Sequence, residues 1–168
     1  INVTSIGFDT HILNTTYKIL ESYPKLGRRA FPLAIIRSLL NIKNEKIFCQ
    51  VEDKDGEILN LKGEFIISAL CNGGYYGSGF NPSPSAKIDD GILNLVLVDK
   101  LSTFQLFHLI FKYKKGTHVT NKKVREYKVV SGKIKSEDGA LANIDGDIFE
   151  LKEIDFKIIP KGINWAYF

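Results

Sequence analysis

The pattern of hydrophobic and polar positions divides the chain into a helical N-terminal part and a longer part dominated by strands. Residues 2–8 alternate well enough to predict a strand, and residues 10–22 carry apolar side chains at helical spacing. Pro24 ends this helix, and a second helix is predicted over residues 29–40. Its predicted apolar face consists of Leu33, Ile36, Leu39 and Leu40.

Strand-like patterns then dominate. The segment Asp53-Lys54-Asp55-Gly56 has the composition of a hairpin turn, with strands at residues 46–52 and 57–62 on either side. The remaining predicted strands cover residues 64–72, 92–98, 125–130, 132–136, 141–144, 148–151 and 156–159. Short strands joined by tight turns predict a mainly β fold with a few helices, arranged as a two-layer antiparallel β-sandwich.

A third helix is predicted within the strand-rich part. Ser102-Thr103-Phe104-Gln105 fits a capping box, and the helix runs to Gly116. Its apolar stripe predicts packing in the core or, as the alternative, the wall of a pocket for acyl chains. The stripe comprises Phe104, Phe107, Ile110 and Phe111.

The composition is typical of one compact domain without membrane spans. A chain of 168 residues normally forms a single domain, here residues 1–168, whose core needs no disulfides. Cys49 and Cys71 lie inside apolar runs without metal-ligand spacing, so we expect reduced, buried thiols and a cytoplasmic protein. No apolar stretch has the length that crosses a bilayer.

Positive charge is concentrated after the third helix. The net charge is +4, and lysines and an arginine cluster at residues 112–115 and 122–125. This cluster predicts a solvated face or a weak attraction to an anionic membrane surface. No motif interleaves aromatic side chains with these charges as nucleic-acid modules do, so we expect no nucleic acid as partner.

Two acidic turns are candidate sites. Asp89-Asp90-Gly91 follows a glycine-rich stretch at residues 73–82 and offers a carboxylate beside turn carbonyls, an oxygen set suited to Mg²⁺ or Ca²⁺. Asp145-Gly146-Asp147 places two carboxylates around a glycine. Either segment also fits an ordinary hydrophilic turn. The three histidines show no ligand spacing, and none is predicted to be catalytic.

Four segments, in this order, resemble the C-terminal half of the diacylglycerol kinase and sphingosine kinase family of lipid kinases. They are residues 2–9, the turn Tyr76-Gly77-Ser78-Gly79 with Pro84 to Leu93, Gly116-Thr117-His118, and Asn143 to Asp147. The second segment is the specific one. The Gly-Gly-Asp-Gly-Thr loop with which such kinases bind ATP does not occur in the sequence, and neither does a Walker-type loop. The resemblance therefore implies the C-terminal half of a two-domain enzyme, with ATP bound mainly by an N-terminal domain absent from this chain.

The resemblance also implies roles for particular residues. Asp147, with Asp145 as neighbour or substitute, would be the base that removes the proton of the lipid hydroxyl as it attacks the γ-phosphate. The family has glutamate at position 147, so the carboxylate here is one methylene shorter. A structural Mg²⁺ would be held by the Asp90 carboxylate and by the carbonyls of Lys87 and Ile92.

The expected function is thus ATP-dependent phosphorylation of a lipid hydroxyl, in diacylglycerol or a similar lipid, by a peripherally membrane-associated enzyme. The fragment alone is expected to be inactive, and an apolar interface with its N-terminal domain would also permit a homodimer. Two alternatives remain open. One is a lipid-binding module of the same lineage that has lost catalysis, and the other is a kinase of related fold that acts on a soluble substrate.

Overall fold

The computed structural model of this chain describes residues 1–77 and 79–163. The N-terminal part contains strand β1 (Val3–Gly7), helix α1 (Phe8–Ser22), a 3-10 segment (Pro24–Arg29) and helix α2 (Ala30–Leu39). These elements confirm the predicted strand and both helices, with α1 beginning two residues earlier than its pattern indicated.

The strand-rich part follows from residue 45 onward. Its elements are β2 (Glu45–Asp53), β3 (Ile58–Cys71), β4 (Leu93–Asp99), α3 (Thr103–Lys115), a short 3-10 turn (His118–Thr120), β5 (Val124–Ile144) and β6 (Asp147–Lys157). The β2–β3 hairpin and the strand near residues 92–98 are confirmed. Several predicted short strands are instead continuous, and β5 alone has 21 residues.

Every pairing between these strands is antiparallel. The order is β1-β3-β2-β5-β4, with β6 on β5 and with extra pairs β1–β5 and β3–β4. The first half of β3 pairs with β2 and its second half pairs with β1 and β4, because the strand is long enough to reach both sets of neighbours. The sheet therefore folds over on itself, which confirms a mainly β, sandwich-like domain.

Two glycines that look like turn residues lie within strand β5. At Gly132 a Cβ atom would lie 2.6 Å from the carbonyl oxygen of Gln50, so the glycine permits a close approach of β2 and β5. Gly139 has a positive φ of 76° and lies where the β5–β6 register shifts between Lys135 and Ala140. These glycines mark a close contact and a bulge, so the strand continues through both.

Two hydrophobic clusters hold the layers together. The inner cluster contains Ile47, Leu95, Ile134 and Leu151, which are almost fully buried between strands. The outer cluster joins the sheet to the helices through residues such as Phe8, Ile66, Leu106 and Leu109. The three helices therefore cover the sheet from outside, and the outer cluster lies where they meet it.

Helix α2 is oriented differently from the prediction. Its buried residues are Ala30, Ala34 and Ser38, whereas Leu33, Ile36 and Leu40 are 46%, 60% and 84% exposed. The small side chains allow α2 to lie close against α1, the element with which it makes most of its contacts. Local periodicity identified the stripe of large apolar residues, but the close packing of α2 against α1 buries the small residues instead.

The predicted ends of α3 are confirmed. The Ser102 hydroxyl accepts a bond from the Gln105 amide at 3.3 Å, and the Gln105 side chain accepts one from the Ser102 amide at 3.0 Å. Gly116 closes the helix in the left-handed conformation with φ 71°.

Both cysteines are in the state that the sequence predicts. Cys49 and Cys71 are free and buried, and burial raises the pKa of the Cys49 thiol to about 12. Among the described residues, no helix combines the length and apolar character needed to span a membrane.

Candidate functional site

The acidic turn at residues 145–147 joins β5 to β6. Ile144 pairs with Asp147, so Asp145 and Gly146 form a two-residue loop. Their φ values of 51° and 108° are both positive, as the type I′ hairpin turn requires. Asp and Gly are favoured at these positions because both adopt positive φ at little cost. The turn is thus a regular hairpin that projects Asp147 from the first position of β6.

The two aspartates of this turn have different surroundings. The backbone amide of Asn2 donates to both Asp145 carboxylate oxygens, at 3.0 and 2.9 Å, and the amide of Val3 donates to one of them at 2.8 Å. The Tyr17 hydroxyl donates to the Gly146 carbonyl at 3.1 Å. Asp145 therefore fixes the turn to the start of β1, and Tyr17 fixes it to α1.

Asp147 is exposed, and its carboxylate makes no hydrogen bond or ion pair with any of residues 1–77 and 79–163. A carboxylate that is held by its strand but free of internal partners can accept a proton from a bound hydroxyl. The structure thus separates an anchoring carboxylate from a free one, a difference that the sequence did not indicate.

A cavity of about 430 Å³ lies beside this turn. Its wall includes Asp145 and Gly146, and most of its remaining surface is apolar. Those further lining residues are Asn2, Val3, Phe8, Asp9, Ile12, Leu13, Tyr17, Phe31, Ile67, Tyr76, Gly77, Phe80, Ile110, Tyr113 and Asn143. The cavity joins β1, α1, α2, α3, the glycine-rich loop and the acidic turn, so three of the four segments singled out in the sequence meet there.

One group of polar residues in the cavity wall surrounds Asp9. Its carboxylate accepts bonds from the Tyr76 hydroxyl at 2.7 Å and from the Thr10 amide at 2.9 Å. Burial raises the pKa of Asp9 above its ordinary value, since the apolar wall disfavours the charged form. The buried Tyr113 hydroxyl has no hydrogen-bond partner among the described residues.

These polar groups belong to the candidate site, and the sequence alone did not indicate them. Asp9 belongs to the segment of residues 2–9, but the sequence pattern gives no sign that its side chain enters a cavity. Tyr76 and Tyr113 lie far apart in sequence and converge only through the fold, so local spacing could not have paired them.

The glycine-rich loop forms part of the cavity wall. Tyr76 and Phe80 pair across a tight turn, and the Phe80 ring lies 5.9 Å from that of Phe31 on α2. Ser78 of the predicted Tyr76-Gly77-Ser78-Gly79 turn lies outside the described residues. The Asn2 side chain donates to the Tyr75 carbonyl at 2.8 Å. The loop is therefore held against both β1 and α2.

The weaker Gly116-Thr117-His118 segment supports the same loop. His118 is fully buried, its ring lies 4.4 Å from the Tyr113 ring, and its Nε2 donates to the Pro82 carbonyl at 2.9 Å. Burial lowers the pKa of His118, which favours the neutral ring. This histidine therefore positions the segment after the glycine-rich loop.

The proposed metal ligands form a separate surface turn. Asp90 is exposed, Gly91 has a positive φ of 71°, and one Asp90 carboxylate oxygen accepts the Ile92 amide at 3.0 Å. In the described part of the chain, neither Lys87, Asp90 nor Ile92 lines the cavity. One carboxylate and two backbone carbonyls are oxygen donors of the kind that Mg²⁺ takes in proteins, and the exposed turn is accessible to water.

Helix α3 contributes to the site less than its apolar stripe predicted. Ile110 lines the cavity, together with Tyr113 one turn later. Phe104, Phe107 and Phe111 are 73%, 47% and 57% exposed, so they belong neither to the core nor to the cavity wall. The prediction was therefore wrong for the three phenylalanines, because the helix packs through Leu106, Leu109 and Tyr113.

Comparison with known proteins identifies a matching family model and several similar proteins. Residues 2–166 match the family model described as the YegS C-terminal NAD kinase beta sandwich-like domain. A protein described as a probable lipid kinase YegS-like, from Shewanella frigidimarina, is 25% identical over 170 residues, covering 99% of this chain and 51% of the relative. A diacylglycerol kinase from Staphylococcus carnosus is 33% identical over 147 residues, covering 88% of this chain and 46% of the relative.

Solved structures agree on the fold. A putative diacylglycerol kinase from Bacillus anthracis has a TM-score of 0.63 and 24% identity, covering 93% of this chain and 49% of that structure. Another putative diacylglycerol kinase structure from the same organism has a TM-score of 0.61 and 20% identity, covering 95% of this chain and 50% of that structure. The chain thus spans about half the length of the relatives that it matches.

Proposed function

The chain belongs to the family of YegS C-terminal NAD kinase beta sandwich-like domains, and from that membership we propose that it is the C-terminal half of an ATP-dependent lipid kinase. In this proposal the complete protein transfers the γ-phosphate of ATP to a hydroxyl of diacylglycerol or a similar lipid. An N-terminal domain binds the ATP, and this chain supplies the lipid site and the base. The names of the two relatives support a kinase that acts on lipid.

The cavity beside the acidic turn is the observation that carries the proposal. Its wall is mainly apolar, it has a volume of about 430 Å³, and it includes Asp145 and Gly146 of the turn. An apolar cavity with few polar groups suits the acyl part of a lipid, since burial of hydrocarbon provides most of the binding free energy. A lipid in this cavity reaches Asp145 and Gly146, which precede the candidate base Asp147 in the chain, while Asp147 is not among the described residues that line the cavity.

Asp147 is the proposed base. Its carboxylate accepts the proton of the lipid hydroxyl as that oxygen attacks the γ-phosphorus, and ADP leaves with the electrons of the broken bond. Asp145 is already bonded to two backbone amides, so its role is to hold the turn in place. Because aspartate is one methylene shorter than the glutamate of the family, the backbone of the turn must bring the carboxylate closer to the hydroxyl.

Mg²⁺ is the proposed metal. The Asp90 carboxylate and the carbonyls of Lys87 and Ile92 would hold it, and the ion would stabilise the turn between the glycine-rich segment and β4 (residues 86–92). The Asp90 bond to the Ile92 amide already arranges this turn without the ion.

The test is a transfer assay with labelled ATP and the complete gene product. The acceptors are diacylglycerol, sphingoid base and ceramide in detergent micelles, with soluble nucleosides and sugars in parallel. We expect label in a lipid. Label only in a soluble acceptor would instead support the kinase of related fold, and a folded, ATP-binding protein without transfer would support the module that has lost catalysis.

Variants of strand β6 assign the base. Asp147→Ala should abolish transfer, and Asp147→Glu should retain it because the family carries glutamate there. Asp155→Ala is the matched control, since Asp155 is an exposed aspartate of the same strand with a surface ion pair to Lys133. Equal transfer by the Asp147→Ala and Asp155→Ala proteins would contradict the assignment.

A further inference from the structure

Helix α3 has an apolar stripe on the side that faces away from the protein. Leu106, Leu109 and Tyr113 are buried against the sheet. Phe104, Phe107 and Phe111 follow one another at spacings of three and four residues, and each is about half exposed or more. Since an α-helix turns by about 100° per residue, this stripe lies almost opposite the buried face.

The three phenylalanines form one continuous surface. The rings of Phe107 and Phe111 lie 5.1 Å apart in an edge-to-face arrangement. His108, also exposed, lies 4.4 Å from the Phe104 ring and 6.1 Å from the Phe107 ring, so the aromatic contacts continue along the helix. Single exposed apolar side chains are common on soluble proteins, but a continuous aromatic stripe indicates an interaction surface.

Lysines surround this aromatic stripe. On the helix, Lys112 and Lys114 lie on either side of the line through the phenylalanines, and Lys115 extends that line by one turn beyond Phe111. All three lysines are exposed. Lys122 and Lys123 follow the helix, and residues 102–123 contain no aspartate or glutamate. The stripe thus lies in a segment whose only full charges are positive.

We propose that the exposed face of α3 is a docking surface for an anionic lipid bilayer. Aromatic side chains and lysines on one face of a helix are the combination with which interfacial helices bind membranes, the rings entering the headgroup region and the ammonium groups contacting anionic headgroups. A second copy of this chain is a poorer occupant, because docking through the same stripe would bring two sets of lysines together.

The position of α3 connects this surface to the cavity. Ile110 and Tyr113 of the same helix line the cavity, so a bilayer held by the outer face of α3 lies one helix diameter from the lipid site. This connection rests on the proposed function, because it matters only if the protein is a kinase that takes its substrate from a membrane. Binding to the bilayer is nevertheless measurable without any phosphotransfer.

The test is co-sedimentation of the complete gene product with vesicles, in the absence of ATP. One set of vesicles is phosphatidylcholine, and the other contains equal parts of phosphatidylcholine and phosphatidylglycerol. We expect binding to the anionic vesicles and much weaker binding to the neutral ones. The double variant Phe107→Ser/Phe111→Ser should bind about a hundredfold more weakly, from about tenfold for each ring removed from the interface.

Ile58→Ser provides the matched control. Ile58 is 58% exposed and begins β3 beside the β2–β3 hairpin turn, far in sequence and in sheet position from α3. Its replacement should leave vesicle binding unchanged. The triple variant Lys112→Gln/Lys114→Gln/Lys115→Gln should lose about a hundredfold in affinity for the anionic vesicles only, from about fivefold per lysine near the surface. Unchanged thermal midpoints confirm that the variants fold.

Three results would overturn the proposal. The first is a wild-type protein that does not bind anionic vesicles, and the second is binding by the double phenylalanine variant equal to that of the Ile58→Ser protein. The third is a wild-type dimer in gel filtration that the phenylalanine variant converts to a monomer, which assigns the stripe to a second copy. A protein that binds vesicles but phosphorylates no lipid supports the docking surface and contradicts the proposed function, so the two failures are distinguishable.

Discussion

Replacing Asp145 by alanine should destabilise the protein, whereas replacing Asp147 should not. Asp145 accepts three bonds from the amides of Asn2 and Val3, at 2.8 to 3.0 Å, and Asp147 accepts none from residues 1–77 and 79–163. A hydrogen bond to a charged acceptor contributes about 1.5–3 kcal/mol when buried. Because this turn is exposed, we use about 1 kcal/mol for each of the two amides.

The backbone adds a further cost. Asp145 has φ 51°, a left-handed conformation in which alanine is about 1 kcal/mol less favourable than aspartate or asparagine. Asp145→Ala should therefore lower the free energy of unfolding by about 3 kcal/mol in total. For a domain of this size, 1 kcal/mol corresponds to about 2–4 °C, which gives a decrease of about 6–12 °C in the thermal midpoint.

Differential scanning calorimetry measures these midpoints. Asp145→Asn keeps one acceptor oxygen and tolerates the positive φ. We therefore expect its thermal midpoint to fall by less than half as much as that of Asp145→Ala. Asp147→Ala should stay within about 0.5 kcal/mol of the wild type, as is usual for exposed side chains without partners. Equal midpoints for the two alanine variants would refute the separation of an anchoring aspartate from a free one.

Three further predictions concern other parts of the fold. Gly7→Ala should lower the free energy of unfolding in urea by about 3 kcal/mol or more, because φ is 105° and a Cβ atom would collide with a neighbouring backbone carbonyl. The control Gly56→Ala, at φ 86° in open space, should lower it by about 1 kcal/mol. Similar losses for the two variants would contradict the collision. Ser102→Ala should lower the stability by about 1 kcal/mol in the same assay through loss of the capping box, and no change would show that the cap is dispensable. The folded-state pKa of Asp9 is raised above 3.8, so its proton stabilises the native state at low pH and this contribution is lost as the pH rises through the folded-state pKa. Asp9→Asn should therefore raise the thermal midpoint at neutral pH relative to the wild type, with a smaller difference below pH 3.8, and a lower midpoint at neutral pH would contradict the assigned burial cost.

The sequence predicted those parts of the fold that depend on local chemistry. The capping box at Ser102, the left-handed Gly116 and the hairpin turn at residues 53–56 are each determined by a few neighbouring residues, and all three are confirmed. The ends of the long strands were not predictable in this way. Gly132 permits a close approach to Gln50 on another strand, a requirement that becomes visible only when the two strands are paired.

The cavity was even less accessible to sequence reasoning. Asp9, Tyr76 and Tyr113 are more than thirty residues apart from one another, and their convergence depends on the packing of α1, the glycine-rich loop and α3. The two aspartates at 145 and 147 were recognised as a pair, but their different surroundings depend on where β1 begins. The orientation of α3 likewise depends on tertiary packing, which buries its leucines and Tyr113 and leaves its phenylalanines exposed.

The central claim is that this chain holds the lipid in the cavity beside the acidic turn, and photolabelling tests it most directly. A diacylglycerol analogue with a photoactivatable group in its acyl chain is incubated with the complete gene product, irradiated, and located by mass spectrometry of the digested protein. The account predicts label in α1, at residues such as Phe8 and Leu13, and at Phe31 of α2, with competition by unlabelled diacylglycerol. Competed label confined to the separate groove lined by Gln50 and Ser131 would contradict it.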